Sequence, residues 1–204
     1  MSFGCGDGGR SGKVLHVRWT RLFADLESRL DAERDADLTA EVAERTRIEV
    51  GKVALVDRLR AAVGRRVVIT TVAGTPYAAQ VEAIGPDWLV VVDDWQDERL
   101  ISLSSVAAIG QLPTAIAAPY DEARRQIAAR LDLRHALRGI ARDRSAVRVT
   151  TIGAVTMSGT IDRVGADFID LAEHHLDESR RIGKVTSVQT LPIGAFVEAV
   201  RLNR

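Results

Sequence analysis

Basic side chains at regular spacing are the residues of this sequence best suited to do chemistry. Arg130, Arg134, Arg138 and Arg142 recur at every fourth position, which on one continuous helix places four guanidinium groups on a single face. Arg180, Arg181 and Lys184 form a second basic group further along. A guanidinium is a planar fork of donors that matches a phosphate group, so these seven residues are the candidate contacts to an RNA or DNA backbone. The bland reading of the same residues is a solvated surface balanced by Asp121, Asp132 and Asp143. Aromatic residues make up only 4% of the chain, which leaves few platforms for base stacking.

Other reactive residue types do not combine into a reaction centre. His174 and His175 lie beside Asp170 and Glu173, but neighbouring positions of a strand face opposite ways and cannot hold one ion together. Ser104 and Ser105 have no histidine nearby in sequence and no flanking glycines of a nucleophile turn. Asp87 and Asp167 each follow a glycine by two residues and precede an aromatic, the pattern of a turn whose Asp bonds its own backbone. Trp88 and Phe168, at matching positions after them, read as core anchors. Cys5 is the sole cysteine, so an intramolecular disulfide is impossible. The expectation is no catalytic residue, no metal and no cofactor, hence no enzyme.

Composition sets the frame. The 204 residues carry 28 basic and 28 acidic side chains, so no bulk field draws the chain to nucleic acid or membrane. Hydrophobic residues at 46% are enough for a substantial core. No apolar run reaches membrane-spanning length, and the Gly-rich start lacks the apolar segment of a secretory signal. The expected location is cytoplasmic, with no membrane partner.

The elements that must position these residues follow from a repeat. Val67-Val-Ile-Thr-Thr-Val and Ile84-Gly-Pro-Asp-Trp-Leu return 80 residues later as Val147-Arg-Val-Thr-Thr-Ile and Val164-Gly-Ala-Asp-Phe-Ile. The last segments, Leu100 to Gly110 and Thr190 to Val200, align with an offset of 90. The second copy thus has ten extra residues around 174–189. Such a repeat sets architecture before any single residue does. Period-two patterning predicts five short strands in each copy, with a one-turn break before the fifth. Residues 1–13 read as a flexible tail and 14–63 as a helical segment. Within that segment one helix covers 17–34, with Trp19, Leu22, Phe23, Leu26 and Leu30 on one face, and another covers 38–63, capped at Asp35-Ala36-Asp37. Residues 64–112 read as the first β module, 113–144 as a linker with helix, and 145–204 as the second β module; within 113–144 one helix covers 121–131, and Asp132 is placed to cap a further one over 133–143.

Five short strands can bend into a small closed barrel, which removes exposed edges. With the β-branched strands running into Gly74 and Gly153, with Gly159 in strand two, with the two Gly-x-Asp-aromatic turns and with the Leu100-Ile-Ser-Leu-Ser-Ser-Val-Ala-Ala-Ile ending, each copy resembles the Sm-like barrel of the Lsm and Hfq superfamily. The whole chain also resembles a protein group of high-GC bacteria. The fold this implies is α+β: N-terminal helices followed by two five-stranded Sm-like or SH3-like barrels, each preceded by a helix. The family's RNA-contact residues have no counterpart. Gly85, Leu89, Gly165 and Ile169 stand where an Asp or Asn pair belongs, and the Arg-Gly of the strand 4–5 loop is missing from Ser102–Ser105 and Pro192–Ala195. Two functions remain open. One is a non-enzymatic, nucleic-acid-associated regulatory protein using the seven basic residues. The other is a protein-interaction adaptor using the N-terminal helices and barrel edges. A homo-oligomer is compatible with either.

Overall fold

A computed structural model describes residues 11–175 and 185–202. The chain divides into two compact units, residues 1–53 and 54–204. The first ten residues of the expected tail lie outside the described residues, as do Arg180, Arg181 and Lys184.

The first unit contains one helix, α1 (Ser11–Gly51), of 41 residues. The expected break at 35–37 does not occur. Asp35-Ala36-Asp37 contains neither Pro nor Gly, and Thr39 donates its hydroxyl to the Asp35 carbonyl at 2.7 Å, within the helix. Pairs one turn apart, Arg29–Asp25 at 3.1 Å and Arg45–Glu41 at 2.7 Å, support the exposed surface. The helix stops instead at Gly51, the residue of lowest helix propensity after proline.

The second unit begins with α2 (Leu55–Arg60) and ends that helical turn at Gly64, whose φ of +76° is the left-handed conformation glycine tolerates. Then follow β1 (Arg66–Thr71), β2 (Tyr77–Ile84), β3 (Trp88–Asp93), β4 (Glu98–Ser102) and, after a 3₁₀ turn at Leu103–Ser105, β5 (Val106–Gly110). Two helices, α3 (Glu122–Arg130) and α4 (Leu133–Asp143), lead into β6 (Ala146–Thr151), β7 (Thr156–Val164) and β8 (Phe168–Glu173). β9 (Ser187–Pro192), a turn at Ile193–Ala195 and β10 (Phe196–Arg201) complete the described strands.

The two expected closed barrels are not formed. All ten strands join one open antiparallel sheet in the order β5-β1-β2-β3-β4-β10-β6-β7-β8-β9. Within neither repeat do the fourth and fifth strands pair. β4 instead takes β10 as its neighbour, matching Ile101 with Glu198, Leu100 with Ala199 and Arg99 with Val200. The reason is competition for an edge. β10 offers β4 a free edge lined by Ala199 and Val200, and the pairing leaves both 2% exposed. Each half is nevertheless curled. A three-residue 3₁₀ turn spans only about 6 Å, whereas four flat strand spacings would need about 19 Å. Since that turn joins β4 to β5, at opposite ends of one five-strand run, the run must bend. Equivalent bulges at Val81/Ala83 and Ile161/Arg163 supply part of the bend.

The repeat offsets hold in the register. Leu89 faces Ile101 and Ile169 faces Leu191; Thr70 faces Ala108 and Thr150 faces Glu198. Alternate residues of β4 serve two cores. Ile101 joins Val67, Ile69, Val81, Leu89 and Val91, while Leu100 joins Leu133, Leu137, Val149, Ile169 and Phe196. Gly159 permits the closest strand approach, because a Cβ there would lie 2.0 Å from the Ala172 carbonyl oxygen. Among the described residues no helix is long and apolar enough to cross a membrane.

Candidate functional site

The four regularly spaced arginines do not share one helix. Asp121 caps α3, accepting from the Arg124 N–H at 2.7 Å, and Asp132 caps α4, accepting from the His135 N–H at 2.9 Å. The chain turns between these two starts, at Leu131, so Arg130 ends α3 while Arg134, Arg138 and Arg142 line the exposed face of α4. Leu133 and Leu137 occupy the opposite, buried face.

Two of these three side chains are already engaged. Arg134 donates to Asp132 at 2.7 Å and to the Ala166 carbonyl at 3.3 Å. Arg138 donates to the Gly165 carbonyl at 3.4 Å. Together they fasten α4 to the β7–β8 turn. Burial pushes the Asp132 carboxyl up, but the bonds from Arg134 and His135 outweigh it and hold the group below the usual carboxylate range. Arg130 and Arg142 make no polar side-chain contact among the described residues.

The corresponding turn of the first repeat holds the start of the same helix. Gly85 lies against the Trp88 ring, and a Cβ there would come within 2.2 Å of it; Gly165 and Phe168 repeat the arrangement at 2.3 Å. Trp88 differs by its indole N–H, which donates to the Leu131 carbonyl at 2.7 Å. Asp87 accepts from the Leu133 N–H at 2.7 Å, a contact 46 positions away in sequence. This corrects the reading of Asp87 as a purely local turn residue. Burial raises its carboxyl above the ordinary range, against the lowering effect of the Leu133 bond. Trp88 is half-buried rather than a full core anchor.

Beside Trp88 lies a cleft of ≈ 440 Å³, lined by Val56, Arg60, Ile84, Pro86, Tyr120 and Ala128 among others. The Arg60 guanidinium stacks 3.5 Å from the Tyr120 ring centroid and donates to Asp57 at 2.8 Å and the Ala118 carbonyl at 2.7 Å. Its charge is thereby satisfied within the protein, so the cleft offers mainly apolar surface.

The densest group of charges lies at the seam between β4 and β10. Arg99 donates to Asp93 at 2.8 Å and to Glu198 at 3.2 Å, and its guanidinium sits 4.5 Å from the Tyr77 ring centroid. Tyr77 donates its hydroxyl to Glu198 at 3.2 Å. The Asp93 side chain is fully buried and also accepts the N–H groups of Trp95 and Asp97. Burial, reinforced by the Glu198 carboxylate, pushes the Tyr77 hydroxyl far above its ordinary range. Burial alone would lower Arg99, but its bond to Asp93 and the charge of Glu198 reverse the direction. This group joins the two repeats, with Arg99 bridging a carboxylate of each.

His174 is buried, with Nε2 2.8 Å from the Thr160 hydroxyl and Nδ1 2.8 Å from the His175 carbonyl. Both ring nitrogens are thus occupied by the fold. Among the described residues no three His, Cys, Asp or Glu side chains converge.

Sequence reasoning missed the Arg99 group and the Asp87 and Trp88 contacts. One signal was present: Arg99 directly precedes the apolar pair Leu100-Ile101, and Glu198 lies between the apolar residues Val197 and Ala199. Comparison of the chain with protein-family models, with curated proteins and with solved structures finds no match to any of them.

Proposed function

We propose that the chain is a non-enzymatic cytoplasmic adaptor that engages a protein partner through α1. One observation carries this reading. Trp19, Leu22, Phe23, Leu26 and Leu30 lie on one face of a single long helix, each between 45% and 57% exposed. A contiguous apolar face of this kind marks an interaction site. At 3.6 residues per turn, Glu33 and Asp37 continue the same face within about a quarter turn, as do Glu41 and Glu44, which already pair with Arg45 and Arg47. The partner that fits is a helix with apolar anchors followed by basic residues. The test uses the full chain as bait, with and without nuclease, beside a Trp19→Glu/Phe23→Glu/Leu26→Glu variant. The expected result is one stoichiometric protein partner, retained after nuclease and lost with the variant, while the thermal melt of the sheet unit is unchanged. Retention by the variant overturns the reading.

A second reading, nucleic-acid association, is favoured by Arg130, Arg142, Arg144 and Arg148, which have no polar side-chain partner among the described residues. It predicts RNA or DNA binding that falls steeply with salt and weakens in an Arg142→Glu/Arg144→Glu variant. The engagement of Arg134 and Arg138 by the β7–β8 turn is why it stands second.

A further inference from the structure

Some of the acidic residues that continue the apolar face of α1 are not neutralised within the described chain. Asp31, Glu41 and Glu44 pair with Arg34, Arg45 and Arg47. Glu33, Asp35 and Asp37 make no ion pair among the described residues. The partner that fits has apolar anchors followed by basic residues, and α1 read backwards is such a helix: Leu30, Leu26, Phe23, Leu22 and Trp19, then Arg18 and Lys13. We infer that the partner is α1 of a second copy, packed antiparallel, an assignment that rests on α1 being the interaction surface.

The apolar residues set the register. The stretch from Trp19 to Leu30 is centred between Ala24 and Asp25. A two-fold axis there places Trp19 level with Leu30 of the second copy, and Phe23 level with Leu26. The same surface serves both molecules, so the assembly closes at two copies. The helices then overlap from Ser11 to Leu38. That is about four heptads, or roughly 40 Å, long enough to sustain a coiled coil.

Charge fixes the direction. Residues 13–21 hold Lys13, Arg18 and Arg21 and no acidic residue. Antiparallel packing sets Lys13 level with Ala36, between Asp35 and Asp37, and Arg18 level with Asp31, close to Glu33. The two-fold axis repeats the match at the other end of the pair. A parallel pair would set Glu33, Asp35 and Asp37 beside their own counterparts, where like charges repel. The stoichiometric partner of a tagged chain is then its untagged copy.

Sedimentation velocity of the purified full chain over a wide concentration range is expected to show a monomer–dimer equilibrium. The Trp19→Glu/Phe23→Glu/Leu26→Glu chain should stay monomeric. Lys13→Glu/Arg18→Glu and Glu33→Lys/Asp37→Lys each place like charges at both ends of an antiparallel pair. At low salt each should raise the dissociation constant roughly tenfold or more. The chain with all four reversals regains opposite charges and should return to the wild-type constant. In a parallel pair like would still face like in every one of these chains, and none would differ. A thermal melt of each variant confirms the sheet unit. A wild-type chain that stays monomeric at every concentration overturns the inference, and so do a dimer that persists in the triple variant and charge reversals without effect. A monomeric chain that still captures a different protein from lysate, lost in the triple variant, overturns only the second copy as partner and leaves the adaptor reading standing.

Discussion

The seam and the free edges are made from equivalent strands, yet they differ in how their polar residues are spent. At the seam, Arg99 bridges Asp93 on its own repeat and Glu198 on the other. At the β9 edge the equivalent residues are Gln189 and Glu173, joined by a weaker neutral-to-charged bond within one repeat. A buried ion pair adds little net stability, because desolvation offsets most of the attraction, but it strongly penalises the loss of either member. The charged network crosses from one repeat to the other at the seam, whereas neither outer strand, β5 or β9, carries a charged residue.

Substitutions can break this comparison at several levels. Arg99→Ala leaves the buried Asp93 carboxylate without its counter-charge and should cost about 3–5 kcal/mol. Gln189→Ala, its repeat equivalent, should cost less than about 0.5 kcal/mol. Urea denaturation of both chains measures the difference, and equal losses would mean the seam network contributes nothing special. Next comes strand spacing. Gly159→Ala forces a methyl group against the Ala172 carbonyl and should cost about 2–3 kcal/mol by the same measurement. Ala79→Gly, at the matching position, should cost about 1 kcal/mol through backbone entropy alone.

A smaller effect separates the two turns. Trp88→Phe converts the first turn into the form of the second and removes the bond to Leu131, for about 1 kcal/mol. Denaturation followed by circular dichroism, which does not depend on the lost indole, checks it. The smallest effect is acidic. Asp132 is held below its unfolded value, so its contribution is complete above the ordinary carboxylate range and disappears as pH falls through and below it. Asp87 runs the other way. Raised in the folded state, it favours folding when protonated, and that benefit fades as pH rises out of the acid range. Asp132→Asn should therefore flatten the acid-side decline in melting temperature, and Asp87→Asn should steepen it.

Much of the strand inventory was legible, because side-chain alternation and the Gly-x-Asp-aromatic turns are local properties. The offsets of the repeat even matched the observed register. The choice between closed barrels and one open sheet was not legible, since a strand's own pattern does not name the neighbour that takes its edge. The seam network was hidden for the same reason: Tyr77, Asp93, Arg99 and Glu198 meet only after β10 has found β4. Asp132 was legible as the cap of a separate helix over 133–143, and that cap divides Arg130 from Arg134; the four-residue spacing would have put all four arginines on one face only along a single continuous helix. Asp35 and Asp37 misled in the opposite sense, since a residue able to cap a helix can also sit inside one.

The position of β10 has a consequence for how the molecule comes into being. It is the last described strand in chain order, yet it lies near the centre of the sheet, bonded to β4 on one side and β6 on the other. A ribosome emits the chain from its start, and earlier segments fold first. The first five strands can therefore curl together early, but β4 must wait with an open edge until nearly a hundred further residues have emerged. During that interval the edge can pair with another nascent chain, and concentration, temperature and translation speed decide how often it does.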